Sequence, residues 1–557
     1  MEDSVKVILN KQINVGKDRA KLLRVSGTQN TYQVNNVNGS ADGGSILFSN
    51  IALPSLSNAV ISRNMRIRYR VQVSATGNDS LGLVNPVAAL GANGASAAFR
   101  QFPLSSCTDT ATLTINNVPT SVNLRQVIPA ITKTIPLEYL KKEATECPSL
   151  PDNAAVLMVD RLGTALTSAQ PLSSYWNCDG SSRASFQPIS YVNAGGVNTV
   201  VYEVTEPVFI PPLCLRSDDT FLANVNTLSV LYNYSNLSDM FVYGLAAAYP
   251  AGYTVAMAQT AVYLELTCIS LDNRIVSIPS VVSYPYEQPQ YFPTPFSFEA
   301  GLVPSTTVGA VTVQSQSLRL SYMPSLIYMY AQVPPSTRAA ASAAGAASYA
   351  DFTCALGTNS SSNNIGSISI TLNNRQGLLQ GASVQDLYRI AVSHGYAFSY
   401  EQWLMSPVVI VNPAFDLGLD LSQADIYSLM TGNVVLQVQG IFNTSNIVRA
   451  TAQTGAAAGW LAAGTQFQFQ IVCLQAGIAE ISPDTMVLQG GPLSSAEVNA
   501  VLKEAPAQGD YIASDAVDED QGAGLAGAKA QTRSVLTSTA RGAHAGLITA
   551  GGLHRRK

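Results

Sequence analysis

Across residues 64 to 73, "NMRIRYRVQV" sets Met65, Ile67, Tyr69, Val71 and Val73 on one register and Arg66, Arg68, Arg70 and Gln72 on the other. Successive side chains of a strand point to opposite faces, so this segment is predicted to carry one apolar face and a row of three guanidinium groups. The same period of two recurs at 110–116, 198–210, 226–235 and 261–271, and again at 317–323, 326–333, 365–374, 433–442 and 465–475. Each run is bounded by Gly, Pro, Asn, Asp or Ser, the residues that end strands and make turns. Many short alternating runs with turn-rich connections predict an all-β chain of sandwiches or barrels.

Between the two series lies "SVVSYPYEQPQYFPTPF" (280–296), whose prolines at 285, 289, 293 and 295 read as a stiff linker that resists regular pairing. The expected division is an N-terminal arm at 1–44, a first β domain at 45–279, the linker at 280–296, a second β domain at 297–480 and a tail at 481–557. Interruptions rich in Ala, Gly, Ser and Asn at 74–98 and 334–364 read as protruding loops. Helical spacing is rare. "SVQDLYRIAVSHG" (383–395) offers Ser383 as N-cap, Asp386 for a capping box, a stripe of Leu387, Ile390 and Ala391, and Gly395 as stop. "SSAEVNAVLKEA" (494–505) starts similarly with Ser494 and Glu497, and 506–557, without an aromatic after Tyr511, has the composition of a disordered tail.

Composition sharpens this picture. Charged residues are only 12%, about half the usual share, while hydrophobic residues reach 47%. No apolar run approaches the roughly 20 residues that span a bilayer, and the N-terminus lacks the apolar core of a signal peptide, so synthesis without secretion is expected. A surface so poor in charge is expected to be covered by other copies. The net charge of -5 opposes global attraction to nucleic acid. Yet Lys6, Lys11, Lys17, Arg19, Lys21 and Arg24 crowd one end, and no acid follows Asp520 in a stretch holding Lys529, Arg533, Arg541, Arg555, Arg556 and Lys557. Those basic termini read either as solvated tails or as weak contacts with a polyanion.

Enzyme chemistry finds little to work with. Seven dispersed cysteines (Cys107, Cys147, Cys178, Cys214, Cys268, Cys354, Cys473) show no CxxC pair and read as reduced buried thiols, with no metal site and no cofactor expected. Of three histidines only His394 lies in a structured stretch, at a helix end, which reads as structural. Glu203, Glu206 and Glu265 fall on strands without a spacing that marks an acid pair for glycoside hydrolysis. The arginine row has two readings. A phosphate track needs stacking aromatics beside it, but Tyr69 is on the opposite register. A face that pairs with carboxylates of a neighbouring strand or subunit fits better, making Arg66, Arg68 and Arg70 a candidate subunit interface.

Several stretches together resemble the double jelly-roll major capsid proteins of virophages and polinton-like viruses. They are "FPLSSCTDTATLTINN" (102–117), "EATECPSLPD" (143–152), "VTEPVFIPPL" (204–213), "SYPYEQP" (283–289), "LSYMPSLIYMYAQV" (320–333), "LYRIAVSHGYAFSYEQW" (387–403) and "SPVVIVNPAFDLGL" (406–419). The resemblance implies two consecutive eight-stranded antiparallel jelly rolls, with short helices in loops and a disordered C-terminal tail. It implies a homotrimeric capsomer of pseudo-sixfold outline that tiles an icosahedral virion around the genome of a DNA virus. The loops at 74–98 and 334–364 become outer towers, and the N-terminal arm runs beneath the shell. Implied partners are other copies, a penton protein, minor or cementing capsid proteins, the genome, and a viral cysteine protease that cuts after small-residue motifs. "LQGG" (Leu488, Gln489, Gly490, Gly491) fits such a maturation site, "LITAGG" (547–552) less well, and Pro492 beside the first is a departure. A rival reading is a receptor- or carbohydrate-binding β-sandwich of spike or fibre type, for which Trp176 is the best-placed aromatic; Trp403 and Trp460 are not so placed.

Overall fold

The computed structural model describes residues 28–35, 44–49, 59–76, 97–144, 146–149, 188–194, 197–213, 221–243, 254–257, 261–270, 278, 280–297, 310–332, 365–373, 375–400, 403, 407–417, 434–443 and 466–490. In the first half, the strand Arg66–Thr76 lies between Val197–Pro207 on one side and Tyr263–Ser270 on the other. Tyr263–Ser270 pairs outward with Thr28–Asn35, and Pro188–Ala194 extends the sheet beyond Val197–Pro207. A second sheet runs in the order Ser45–Phe48, Leu228–Tyr234, Thr108–Ile115, Val118–Val122.

The second half repeats this order. Leu326–Gln332 lies between Val409–Val411 and Gln466–Ile481, and Val282–Ser297 pairs with the outer side of the latter. Its companion sheet runs Ala310–Gln314, Val434–Asn443, Ile365–Leu372, Arg375–Leu378. In both companion sheets an early strand, a late strand and a mid-chain hairpin follow one another in the same sequence. Both hairpins turn on asparagine: Asn116 and Asn117 have φ of 46° and 67°, and Asn373 has 51°. Asparagine tolerates this left-handed backbone better than other side chains, which explains "TINN" (114–117) and "TLNN" (371–374) at matching places. A helix follows each hairpin, Leu124–Ile131 in the first barrel and Val384–Ser393 in the second.

Two expected boundaries are corrected by this repeat. The segment 280–296 is no linker: Val282–Ser297 is a 16-residue strand paired along its whole length with Gln466–Ile481. All four prolines stand on odd positions, and among the described residues the strand is paired on one side only. The even positions therefore supply the ladder, and the missing N–H groups face away from it, as proline in an edge strand requires. Likewise, 28–35 of the expected arm is a strand of the first barrel, the counterpart of the proline strand in the second. The expected tail also begins too early, since Met486–Gly490 pairs back on Gly477–Ile481.

Helices are more numerous than their spacing suggested. In the first barrel Pro103–Cys107 precedes the hairpin Thr108–Val122, and Leu124–Ile131 and Leu137–Glu143 follow it. In the second of these, Asn123 accepts the Gln126 N–H at 3.2 Å as N-cap, and Leu124, Val127, Ile128 and Ile131 are buried. The expected helix at 383–395 forms as Val384–Ser393, with a complete Ser383–Asp386 capping box and Gly395 at φ 95°. The N-terminal residues 1–27, most of both long loops, the stretch 494–505 and the tail from 491 lie outside the described residues.

Candidate functional site

Alternation on the arginine strand is realised residue by residue. Met65, Ile67, Tyr69, Val71 and Val73 are buried in the core, and Arg66, Arg68, Arg70 and Gln72 face outward. The guanidinium groups are met within the chain. Arg70 lies opposite Glu203 in the ladder and donates to it at 2.7 Å, while Arg68 donates to the same carboxylate and approaches Glu265 at 3.7 Å. Arg66 pairs with Glu143 at 2.6 Å and with Glu146. Three cations thus face four carboxylates, so the face carries no positive surplus with which to track phosphates. Burial pushes the Glu203 carboxyl up, but hydrogen bonds from Arg70 and Arg68 outweigh it and hold the group below the usual carboxylate range. Arg70 is 48% exposed, so Arg70→Ala is expected to change the unfolding free energy by less than about 1 kcal/mol in chemical denaturation.

Strand parity separates Glu203 from its neighbour Glu206. Glu206 lies opposite Ile67, faces inward with Tyr202 and Val204, and is fully buried. Its carboxylate accepts the backbone N–H groups of Leu104 at 2.8 Å and Ser105 at 3.2 Å, the Ser105 hydroxyl at 3.0 Å, and the Tyr69 hydroxyl. The short helix Pro103–Cys107 has no N-cap side chain of its own; Glu206 fills that role from a distant strand. Burial pushes this carboxyl above its ordinary value, and the donors pull it partly back. Three of the stretches quoted above converge here, because Phe102 N–H donates to Pro148 O at 2.8 Å and Thr205 N–H to Glu146 O at 3.0 Å.

A second constellation joins the barrels. The Asn116 amide donates to Asn224 O at 2.7 Å and Ser482 O at 2.6 Å, and its oxygen accepts the N–H groups of Asn226 at 2.8 Å and Thr227 at 3.2 Å. Asn226 donates to Pro483 O at 2.5 Å, and Asn224 to Ser280 O at 3.1 Å and Ile481 O at 3.3 Å. Further along the joint, Thr134 shares a hydrogen bond with Tyr328 at 3.2 Å, Ala397 N–H donates to Lys133 O at 3.2 Å, and Gln288 donates to Ser121 O at 3.2 Å. One continuous apolar cluster runs from Ile46 to Met486 through both barrels. Many packed and hydrogen-bonded groups therefore hold the second barrel at one angle to the first.

The remaining candidates have structural surroundings. His394 Nε2 lies 2.5 Å from Asp416 Oδ2, which also accepts Asn412 N–H at 2.7 Å, tying a helix end to the turn at 413–416. Trp403 is buried and donates to Val408 O at 2.8 Å, while Trp176 and Trp460 lie outside the described residues. Cys107, Cys147, Cys268 and Cys473 are free and buried; burial pushes the thiols up, to about 11 at Cys268 and about 12 at Cys473. Of the cleavage candidate, Leu488, Gln489 and Gly490 lie on the final paired strand, with Leu488 partly buried against the core, and Gly491 lies just beyond the described residues.

Two barrels of one strand order, in tandem and packed on one continuous core, define the double jelly-roll class of shell proteins. Residues 3–260 match the family model for the Sputnik virophage major capsid protein first domain, and residues 297–459 match that for the major capsid protein V20 C-terminal domain. The chain belongs to the virophage major capsid protein family, and its place is in the virion capsid. It is 24% identical over 440 residues to the putative capsid protein V20 of Sputnik virophage, across 72% of this chain and 69% of that one. Its fold is similar to that of a chain in the cryo-EM structure of the Sputnik virophage, with a TM-score of 0.67 and 21% identity, covering 87% of this chain and 92% of that one. The mavirus major capsid protein is also similar, with a TM-score of 0.60 and 14% identity over 86% and 92%.

Proposed function

We propose that this capsid protein works by self-association: three chains form a homotrimer of pseudo-sixfold outline, and trimers tile an icosahedral shell around a DNA genome. The observation that carries this reading is the repeated strand order, because two equivalent barrels per chain give a trimer six similar corners. The fixed joint supports it, since a tile must keep its outline while its edges bind. Size-exclusion chromatography with light scattering is expected to return about three times the 58.8 kDa chain mass, with sheets or shells at higher concentration. A stable monomer at every concentration would falsify the proposal.

The face bearing Arg66, Arg68 and Arg70 is our candidate for a subunit contact. Its charges are already matched, so burying it against a second copy strands no guanidinium, and interfaces of obligate assemblies exceed roughly 2,000 Å². Reversing Arg68 and Arg70 to Glu is expected to lower trimer yield at least tenfold while the monomer still folds. Unchanged trimer yield by native mass spectrometry would remove this face from the interface. Penton and cementing proteins, and weak genome contact through the basic termini, complete the set of partners.

We also infer that the tail is removed during maturation by a viral cysteine protease. A cut after Gly491 falls just past the strand Met486–Gly490, so the mature chain keeps its pairing with Gly477–Ile481 and only the segment from Pro492 is lost. Mass spectrometry of chains from purified particles is expected to show that loss; an intact Lys557 would dispose of it.

A further inference from the structure

Both halves of the joint between the barrels have counterparts elsewhere in the chain. One half is the helix Leu124–Ile131 of the first barrel, and the other is the outer face of Leu326–Gln332 in the second. The Gln126 side chain is hydrogen-bonded to those of Gln332 and, at 2.8 Å, Gln470, and the Tyr330 hydroxyl donates to the Gln126 carbonyl. The counterpart of this helix is Val384–Ser393. Asn123 and Ser383 cap the two helices in the same way, each accepting the N–H group three residues on. Gln126 therefore corresponds to Asp386, and Thr132 to Val392.

The counterpart of the outer face is the arginine strand. Arg66 stands opposite Glu265 where Leu326 stands opposite Leu474, and three residues further along the late strands, Cys268 and Gly477 each pass to a new partner. In that register Arg70 matches Tyr330 and Gln72 matches Gln332. The matched positions differ in one respect. Tyr330, Gln332 and Thr132 are buried, whereas Gln72 is exposed, Val392 is 37% exposed, and the side chains of Arg70 and Asp386 are 48% and 47% exposed. Each stands open where its counterpart is closed.

We propose, resting on the trimer reading above, that the helix Val384–Ser393 of one copy docks on the Arg70 and Gln72 face of the next, repeating between chains the joint made within each. Three such contacts then alternate with three internal joints around a ring, the heterologous arrangement that closes when its rotation fits. Charge supports the pairing. Asp386 takes the place of Gln126 and Arg70 that of Tyr330, so a neutral contact within the chain becomes an acid facing a base between chains. The Asp386 carboxylate accepts Ser383 N–H at 3.1 Å, the Ser383 hydroxyl at 2.6 Å and Arg389 at 3.2 Å, which leaves one of its about four acceptor positions open. Arg70 shares the Glu203 carboxylate with Arg68, so two guanidinium groups draw on it and a further acid is accommodated.

The test is cross-linking by a short bismaleimide of the full-length protein carrying Arg70→Cys and Asp386→Cys together, beside both single variants and wild type. The native cysteines of the described residues are buried. Light scattering is run on every sample first. The double variant is expected to give bands of two and three chains on a denaturing gel, at least tenfold stronger than in either single variant. A trimer by light scattering without those bands overturns this contact and leaves the trimer standing; a wild type that stays monomeric overturns both. Where a variant fails to fold or to assemble, a cryo-EM map of the wild-type trimer decides. There the Asp386 carboxylate is expected within about 4 Å of the Arg70 guanidinium of the next copy, and a helix Val384–Ser393 that faces away from the arginine strand overturns the contact.

Discussion

Replacing Glu206 with alanine is expected to lower the unfolding free energy of the protein by on the order of 4 kcal/mol. The reason is what stays behind. Ser105 N–H, the Ser105 hydroxyl and the Tyr69 hydroxyl lose their acceptor, and Leu104 N–H keeps only the Tyr69 oxygen, at 3.1 Å. Each stranded buried donor costs about 1–3 kcal/mol, partly recovered where water enters. Tyr69 sits on the arginine strand and Leu104 in the short helix Pro103–Cys107, so the damage spreads to both. Equilibrium denaturation in urea reads the loss directly. A fall below about 1 kcal/mol would mean that water replaces the carboxylate without strain.

Glutamine at 206 is the finer probe, because it keeps the shape and removes the titration. The folded carboxyl lies above its ordinary value, chiefly through burial. A raised folded value means that the folded state favours the protonated form. The stabilisation is therefore complete below the ordinary carboxylate range and is lost as pH rises through the folded value. The stability gap between wild type and Glu206→Gln is thus expected to be widest in acid and to narrow toward neutral pH. Glu203 runs the other way: held low by Arg70 and Arg68, it contributes above the ordinary range and loses that contribution in acid.

Much of this was legible in the alternation. That the strands at 197–207 and 263–270 flank the arginine strand does not follow from period two, but its inward register and the existence of those strands do. So does the difference between the two glutamates: in "YEVTEP" (202–207), Tyr202, Val204 and Glu206 share one face and Glu203 the other, which already marks Glu206 as buried. The helix Leu124–Ile131 was only partly available: Asn123 followed by Leu124, Val127, Ile128 and Ile131 has helical spacing, but Pro129 within it reads as a breaker. The two misread segments have a physical excuse. Both are opening strands held largely by their ladders on one edge, "TQNTYQVN" with few apolar residues and "VSYPYEQPQYFPTPFS" with prolines that avoid the paired side. Edge strands hide from hydrophobic patterning, because half their hydrogen-bond groups and much of their surface need no partner. The joint hides for another reason. Its asparagines and glutamines are polar residues at polar positions, and only the tertiary fold reveals that a second barrel lies on them.

That joint sets up the second large effect. Asn116→Ala is expected to cost on the order of 3 kcal/mol and to impair assembly more than folding. Alanine removes two donors' acceptor and two carbonyls' donor at once, linking the barrels no longer through Ser482, and it must also hold a left-handed φ of 46° that asparagine tolerates better. Glycine separates the two contributions, since it accepts the backbone angle but makes none of the bonds; it is expected to recover only about 1 kcal/mol of the loss. Aspartate keeps the acceptor for Asn226 and Thr227 and loses both donations, including the one across the joint. If the fixed angle between barrels is what makes the chain a tile, Asn116→Asp gives trimers that form shells poorly, seen as a raised critical concentration in light scattering. Shells that assemble normally from a variant with a measurably looser joint would show instead that the lattice imposes the angle on the subunit.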